Sequence, residues 1–459
     1  MYEKIKLILT NRITTLKGNE RTLKAINNII NSFAIKGLSI VISFILVPLS
    51  IKYLGNTKYG IWITLGSIIN WFSYFDIGLG NGLRNKFATA KSEGNNILAR
   101  KYVSTTYAIL SFIMICLMII FVIINPLLDW NKLLNAGDSF NNSNELQILS
   151  YVIFILFCLN FILKLISTIL TADQKPAKAS IFDLYSRVIA VITIYILTNI
   201  NTNSNSILLI GIIITGSQTL VLLIANFKYF NKEYKDYSPS VKLIDFSYSK
   251  ELFNLGVKFF IIQLASLLLY QTNVIIISQQ LGPEIVTKYN IGFSYYGSLS
   301  MIFAIIISPF WSAFTEAWVK KDTIWIKNIM GNLIKSWVGL LILGLLMVIF
   351  SKTIFKLWIG NDMEITFELS LIILAYFMIT AWNGIYSTLL NGIGKVKLQL
   401  YIGVITAIIN IPLSIALGKQ IGLEGILLAN IIIAIPGLII YPIQYKKLIN
   451  GKKDGIWVA

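Results

Sequence analysis

The chain contains no histidine and only 2 cysteines in 459 residues. Without histidine, the protein cannot use histidine-centred proton relays, histidine metal ligands or the Ser/His/Asp and Cys/His nucleophilic arrangements. Cys116 and Cys158 lie in apolar segments, where a free cysteine behaves as a small hydrophobic side chain. The sequence therefore predicts no disulfide framework, no metal site and no cofactor.

Charged residues are also scarce, at 13% of the chain against 56% hydrophobic residues. That balance excludes a soluble domain of ordinary proportions. The formal net charge of +18 could suggest a nucleic-acid partner. However, the basic residues flank apolar stretches, where they face anionic lipid head groups. We therefore expect an integral membrane protein with no nucleic-acid partner.

Twelve apolar stretches are each long enough to cross a bilayer, because about 20 helical residues cover a ~30 Å hydrocarbon core. The connecting segments on one side carry 27 of the 39 Lys and Arg residues, and those on the other side carry 7. Loops rich in Lys and Arg stay in the cytoplasm, so both termini are predicted to be cytoplasmic. The predicted spans are 29–49, 59–80, 102–124, 148–170, 180–198, 207–227, 252–278, 289–316, 331–350, 366–390, 398–417 and 423–445.

The sequence repeats itself between its two halves. Residues 54–61 are echoed by 281–291, and residues 167–175 by 387–395, at similar offsets. Six spans per half is an even number, so the halves run parallel, and transporters built from such repeats place their site at the interface between them. We predict an all-α polytopic membrane protein with 12 transmembrane helices, arranged as two parallel six-helix bundles around a central cavity. The predicted units are a cytoplasmic basic lead-in at 1–28 rather than a removed signal, bundles at 29–227 and 252–445, a cytoplasmic linker at 228–251 and a tail at 446–459.

Five basic residues lie inside predicted spans, and four of them are candidates for a functional role: Lys36, Lys164, Arg187 and Lys258. An ionisable side chain within a membrane span is costly unless it faces water or a partner. One interpretation is a cationic shelf that lines the cavity and binds an anionic head group such as a pyrophosphate. The alternative is that these side chains snorkel to the cytoplasmic interface, with Asp183 neutralising Arg187 one helical turn away.

The end of the second span contains glycine at every second position: Gly78, Gly80 and Gly82. Glycines weaken a helix, so this stretch is a candidate hinge. Asp76 and Arg84 flank it and, two turns apart, would share one face of a continuous helix. No strand precedes the glycines and no nucleotide-loop spacing is met, so a nucleotide site is excluded. A helix end with a capping acid and basic stop residues is the simpler alternative.

The segments 59–62 (YGIW) and 75–85 (FDIGLGNGLRN) resemble the second-span signature of Wzx-type bacterial polysaccharide flippases. These flippases belong to the multidrug/oligosaccharidyl-lipid/polysaccharide exporter superfamily. The segments 256–260 (GVKFF), 281–290 and 309–317 (PFWSAFTEA) are similar to that family's seventh- and eighth-span passages. The resemblance implies that undecaprenyl-pyrophosphate-linked oligosaccharide units, of O-antigen or capsule type, cross the bacterial inner membrane by alternating access through a cationic cavity.

The resemblance and the positions of the charged residues together suggest roles for individual residues. The cationic cavity is assigned to Lys36, Lys258, Lys164 and Arg187. The hinges are assigned to Gly78, Gly80 and Gly82 in the second span and to Pro309 in the eighth. Asp76, Arg84 and Glu316 are candidates for coupling or gating, and Asn70, Trp71, Tyr270, Gln271, Asn273 and Trp382 for contacts with the sugars.

Two other classes of protein are alternatives. A cation-coupled small-molecule or drug exporter of the same superfamily would need acids deep in the cavity, whereas the deep charges here are mostly basic. An enzyme such as a polymerase or ligase would need large outer loops carrying arginines or catalytic acids, and the outer loops are short. We therefore expect a transporter that is not an enzyme. Its expected partners are the lipid-linked substrate, membrane lipids and other polysaccharide assembly proteins, such as a polymerase and a chain-length regulator.

Overall fold

A computed structural model describes residues 20–74, 79–137, 144–173, 175–200, 205–249, 272–307, 310–360, 365–451 and 455–458. Regular structure in these ranges is helical throughout, as expected from the apolar runs. The first group of helices is α1 (Glu20–Leu54), α2 (Asn56–Asn70), α3 (Leu79–Ser92), α4 (Asn96–Ile124), α5 (Trp130–Leu134), α6 (Glu145–Leu163), α7 (Leu165–Ala172), α8 (Pro176–Asn199) and α9 (Ile207–Asn231). The second group is α10 (272–281), α11 (Pro283–Ile307), α12 (Phe310–Val319), α13 (Thr323–Ile349), α14 (Ser351–Ile359), α15 (Phe367–Gly392), α16 (Lys397–Ile421) and α17 (Leu423–Ile449).

Ten helical segments within the described ranges are long and apolar enough to cross a membrane. The predicted second span is not among them, because it is divided between α2 and α3. The predicted seventh span falls mostly on residues 250–271, outside the described residues. The fourth is divided into α6 and α7, and the described residues of the eighth, 289–307 and 310–316, lie in α11 and α12. Two short helices lie in segments predicted as loops: α5 follows the third span and α14 follows the ninth.

Helices pack mainly within their own group. In the first group, α1 packs along α8, α6 and α8 pack on α9, and α3 packs on α4. In the second group, α17 packs on α15 and α16, and α13 packs on α15. The principal contact between the groups joins α2 to α11. The first group covers residues 20–231 and the second covers residues 272–449.

The α2–α11 contact brings the two copies of the sequence repeat together. Gly55 and Gly282 precede these helices with φ of 75° and 93°, values that glycine adopts without steric cost. The Tyr59 hydroxyl donates to Asn290 Oδ1 at 3.0 Å, and the Thr287 hydroxyl donates to the Asn56 carbonyl at 2.6 Å. The repeats detected in the sequence therefore pack against each other across the boundary between the groups.

Further contacts between the groups lie at the same end of the molecule, which the charge bias predicts to be external and which we call the predicted outer end. Asn135 Nδ2 donates to the Ser278 carbonyl at 2.8 Å, and the Ser278 hydroxyl donates to the Leu134 carbonyl at 3.0 Å. Gln279 Nε2 donates to the Lys132 carbonyl at 2.9 Å. The predicted outer end is therefore closed by contacts between the two groups.

At the opposite end, the segment after α9 is docked on the first group. Arg100 Nε donates to the Ser238 carbonyl at 2.9 Å, and the Tyr237 hydroxyl donates to Asn96 Oδ1 at 2.7 Å. The Asp245 N–H donates to the Thr105 hydroxyl at 3.0 Å. Residues 232–249, predicted only as a polar linker, thus form an ordered strap across the start of α4.

Candidate functional site

A polar cavity of about 750 Å³ opens among helices of the first group. Its apolar wall comes from α2, α4 and α6. Its polar lining is made by Asn70, Arg84, Asn160, Lys164, Ser167, Thr168, Thr171, Thr215 and Gln218. Such a density of polar side chains at membrane depth is tolerated only where they face water or a ligand. We call this space the N-half cavity.

Arg84 and Lys164 bring two positive charges to the N-half cavity from different helices. Arg84 lies on α3 and Lys164 at the junction of α6 and α7, and both side chains are exposed. Neither forms an ion pair with any residue that the structure describes. Arg84 is eight residues from the last residue of α3, Ser92, and Lys164 is eight residues from the last residue of α7, Ala172. At about 1.5 Å per residue, each lies roughly 12 Å from that end. The cavity therefore has a net positive lining at one depth.

A break in the fourth span places Lys164 in the cavity. The Ser167 N–H donates to the Lys164 carbonyl at 2.9 Å, so it does not make the helical bond to the Leu163 carbonyl. Asn226 Nδ2 on α9 donates to that carbonyl instead, at 2.8 Å, and the Tyr107 hydroxyl donates to Asn226 Oδ1 at 2.9 Å. The break is thus stabilised from two other helices, and it turns Lys164 out of the helix.

Asn160 provides an unsatisfied acceptor in the same cavity. Its side chain is 8% exposed, and its Nδ2 donates to the Thr215 carbonyl at 3.3 Å. Its Oδ1 has no hydrogen-bond partner within the described part of the chain. A buried carbonyl oxygen without a donor is costly, so this oxygen is suited to accept a hydrogen bond from water or a ligand hydroxyl.

A smaller space of about 210 Å³ adjoins the N-half cavity and shares Lys164 and Gln218 with it. It adds Asp183 to the lining, whereas Arg187 does not line it. Arg187 donates through Nη1 to the Ser43 hydroxyl on α1. Among the described residues, Asp183 forms no ion pair with Arg187, so the predicted neutralisation of Arg187 by Asp183 is absent.

The other predicted site residues are distributed as follows. Lys36 is exposed on α1, and Arg187 lies where α8 contacts α1, so neither lines the N-half cavity. Gly80 lines the cavity and Gly82 is buried, both within α3 and beyond the interruption of the second span. Lys258, Asp76, Gly78, Pro309, Tyr270 and Gln271 lie outside the described residues, and the side chain of Glu316 is likewise not described.

The predicted sugar-contacting residues also separate. Asn70 lines the N-half cavity. Asn273 is instead buried in the second group, where its Nδ2 donates to Asn430 Oδ1 at 3.0 Å. Trp382 packs edge-on against Trp337 with ring centroids 5.1 Å apart. Sequence reasoning missed Asn160, Thr215 and Gln218, whose only signal was a polar residue inside an apolar span.

The sequence matches the profile of polysaccharide biosynthesis proteins over residues 25–314, more than half of the chain. The chain belongs to the polysaccharide biosynthesis protein family. The matched range runs from α1 into α12, so it contains every helix that lines the N-half cavity. The resemblance that the second- and eighth-span motifs implied is thereby confirmed.

Two relatives extend over most of the chain. A protein of Salmonella typhi, provisionally described as an O-antigen transporter, is 22% identical over 392 residues, covering 84% of this chain and 87% of that protein. A protein of Yersinia pseudotuberculosis, provisionally described as an O-antigen export protein, is 24% identical over 372 residues, covering 78% of this chain and 81% of that protein.

Solved structures show the same fold. The lipid II flippase MurJ in an inward closed conformation superposes with a TM-score of 0.70 at 18% identity, covering 91% of this chain and 87% of that one. A multidrug resistance transporter of the MATE family, in an inward-facing conformation, superposes with a TM-score of 0.69 at 14% identity, covering 93% and 100%. The polysaccharide biosynthesis protein described here is therefore an all-α, multi-pass membrane protein with a transporter fold.

Proposed function

We propose that the protein is a flippase that moves undecaprenyl-pyrophosphate-linked oligosaccharide units across the bacterial inner membrane by alternating access. One observation supports this proposal above the others: Arg84 and Lys164 line the same polar cavity. Neither forms an ion pair with a described acidic residue. Two cations from different helices suit a pyrophosphate, because guanidinium and ammonium groups donate several charge-assisted hydrogen bonds to phosphate oxygens.

The neutral polar lining supports the sugar part of the proposed substrate. Asn160 Oδ1 can accept from a hydroxyl, and Thr215 and Gln218 extend the polar surface beyond Lys164. Sugars carry many hydroxyl groups, and each needs a partner once it leaves bulk water. The names of the Salmonella and Yersinia relatives support an O-antigen unit, with a capsule-type unit equally compatible with the lining.

The proposed transport step is a rocking of the two bundles against each other. The α2–α11 contact closes the predicted outer end and must separate for release there. One proposed hinge is the second span, where α2 ends at Asn70 and a 3₁₀ turn follows at Trp71–Tyr74, with Gly78, Gly80 and Gly82 farther along the chain. The other proposed hinge is Pro309 in the eighth span. Lys36, Lys258 and Arg187 are proposed to extend the cationic path, and Asp76 and Glu316 to act in coupling or gating.

A cation-coupled drug exporter is the alternative function, since MATE transporters share the fold. That function requires acids in the cavity to bind a cationic substrate or a coupling ion. Asp183 is the acid that the described residues contribute to the N-half cavity and its adjoining space, against Arg84 and Lys164. The net positive lining therefore favours an anionic substrate.

The deciding experiment locates the lipid-linked sugars in a strain from which the gene is deleted. We expect completed units to accumulate on the cytoplasmic face, inaccessible to a membrane-impermeant reagent, while surface polymer is lost. Complementation with the intact gene should restore outer-face labelling. Completed units that remain accessible from outside in the deletion strain would exclude this function.

A further inference from the structure

A second cavity, of about 680 Å³, lies between the two groups of helices near the predicted outer end. Its walls are Ile68 on α2, Phe72 in the turn after α2, Leu117 and Ile120 on α4, and Ile275 on α10. It is distinct from the N-half cavity, because none of these residues lines both spaces. We call it the outer groove.

The outer groove changes from apolar to polar along its length. Its deep part is lined by the apolar side chains of α2 and α4, and its rim carries Asp129, Lys132 and Gln279. Asp129 and Lys132 are exposed, and neither forms an ion pair with a described residue. Among the described residues, Asp129 Oδ1 accepts a hydrogen bond from the backbone N–H of Lys132, at 3.0 Å. The groove thus combines an apolar space with a rim that carries one acid and one base, neither of them in an ion pair with a described residue. This combination matches the polarity of a lipid.

The wall of the groove continues into the lipid-facing surface of α4. Ile120 lines the groove and is 51% exposed, and Leu127 at the rim is 82% exposed. Side chains this apolar and this exposed at membrane depth face hydrocarbon. An acyl chain in the surrounding leaflet therefore has an open lateral path into the groove.

We infer that the outer groove binds a phospholipid, with an acyl chain between α2, α4 and α10 and the head group at Lys132 and Asp129. The charge of the rim indicates which lipid binds. One base and one acid complement a zwitterionic head group, whereas a pyrophosphate would require an excess of cations. Because α2 and α4 belong to one group of helices and α10 to the other, the bound lipid contacts both. It therefore stabilises the arrangement in which the predicted outer end is closed.

Photo-crosslinking tests the occupant directly. A photoreactive amino acid is placed at Leu117, inside the groove, or at Ile123, which is exposed on the same helix but does not line the groove. After purification in detergent and irradiation, intact-mass measurement should show a phospholipid adduct at position 117 and a detergent adduct at position 123. A detergent adduct alone at position 117, or an adduct with the mass of a polyprenyl phosphate, would overturn the inference.

Two substitutions test the groove and its rim separately. Ile120→Trp fills the groove from a half-exposed position, and Lys132→Ala removes the base at the rim. Each should lower the phospholipid retained on the purified protein, Lys132→Ala by about tenfold, which corresponds to 1.4 kcal/mol of binding free energy. Lys352→Ala, at an exposed lysine on α14 outside the groove, should retain the lipid fully. Equal retention by all variants would contradict the site, whatever the outcome of the transport assay.

Discussion

Gly60 on α2 lies directly against the backbone of Pro283 at the start of α11. A Cβ atom added at Gly60 would lie 1.7 Å from the Pro283 carbonyl oxygen and 2.5 Å from its carbonyl carbon. The obstacle is backbone, so a side-chain rotation cannot relieve it. This contact between the two groups of helices therefore requires glycine at position 60.

Gly60→Ala should prevent the predicted outer end from closing fully. Overpacking at such a contact costs about 1–3 kcal/mol, so we expect a lower melting temperature in detergent and a loss of surface polysaccharide. Gly339→Ala is the matched control, because a Cβ at Gly339 meets no atom within 4 Å. Wild-type stability and export in Gly60→Ala would show that α2 and α11 are not held in this contact.

Trp358 on α14 satisfies a carbonyl that proline leaves free in α1. Pro48 has no N–H, so the Phe44 carbonyl one turn earlier has no helical partner. Trp358 Nε1 donates to that carbonyl at 2.6 Å. Trp358→Phe should keep an aromatic ring against Phe44 but leave the carbonyl unpaired, destabilising the protein by about 1–3 kcal/mol.

A double-mutant cycle tests this explanation. Pro48→Ala restores an N–H that can bond the Phe44 carbonyl within the helix, so Trp358→Phe should cost less stability in that background. The measurement is thermal unfolding of the four proteins in one detergent. An equal loss in both backgrounds would mean that Trp358 acts through packing alone.

Much of the fold could be predicted from the sequence because length and apolarity decide which segments cross a membrane. The break at Lys164 could not, because it depends on Asn226, a residue 62 positions away that supplies the missing hydrogen bond. The helix α14 was missed because a nine-residue helix containing Lys352 and Lys356 reads as a polar loop. The repeat was visible in the sequence, yet nothing in it indicated that Gly60 meets Pro283.

The candidate site was predicted only in part, for a related reason. The cost of burying charge identified Lys164, and the motif around the glycines singled out Arg84. Both residues line one cavity because of the way α3, α6 and α7 pack. The spacing of the residues along the chain gives no information about that packing. Asn160 and Gln218 are uncharged, so they gave no comparable signal.

The charge bias predicts the orientation in the membrane. Reporter fusions after Lys242 and at the C-terminus should report a cytoplasmic location, and a fusion near residue 142 should report an external one, because loops rich in Lys and Arg stay inside. Paired reporters that are active only on one side provide the control. A reversed signal at any of these positions would mean that a span has been miscounted.

Asp173 anchors the strap of residues 232–249 to the first group. It accepts hydrogen bonds from Lys175 and Lys91 and from the Tyr234 hydroxyl, the last at 2.6 Å. Burial by itself raises the pKa of Asp173, but these three donors together hold it below its usual value. Asp173→Asn should lower stability by about 2 kcal/mol, the scale of a hydrogen bond to a charged group.

The pH dependence of that loss has a definite sign. Because the pKa of Asp173 is lower in the folded than in the unfolded protein, its stabilising contribution is complete above the unfolded pKa, about 4. It disappears as the pH falls below that value. The difference in melting temperature between wild type and Asp173→Asn should therefore be constant near pH 7 and shrink below about pH 4. Asp236→Asn, at an exposed acid in the same strap, should show no such difference.

Arg84 and Lys164 should be jointly required for transport. If both bind the phosphates of the substrate, Ala at either position should abolish surface polysaccharide while the protein level in the membrane stays unchanged. Lys164→Arg should retain part of the activity, because a guanidinium still donates to phosphate oxygens. Lys335→Ala is the control, since Lys335 is an exposed lysine of the span α13 that does not line the N-half cavity.

The same assay determines how far the cationic path extends. Lys36→Ala and Lys258→Ala should each abolish export if these residues continue the path, whereas a lysine that only snorkels to the interface tolerates alanine. Each variant should be measured for membrane level and for the leaflet of the lipid-linked sugars, because a trapped cytoplasmic pool separates failed transport from failed synthesis. Full export by a variant that lacks both Arg84 and Lys164 would remove the N-half cavity as the head-group site.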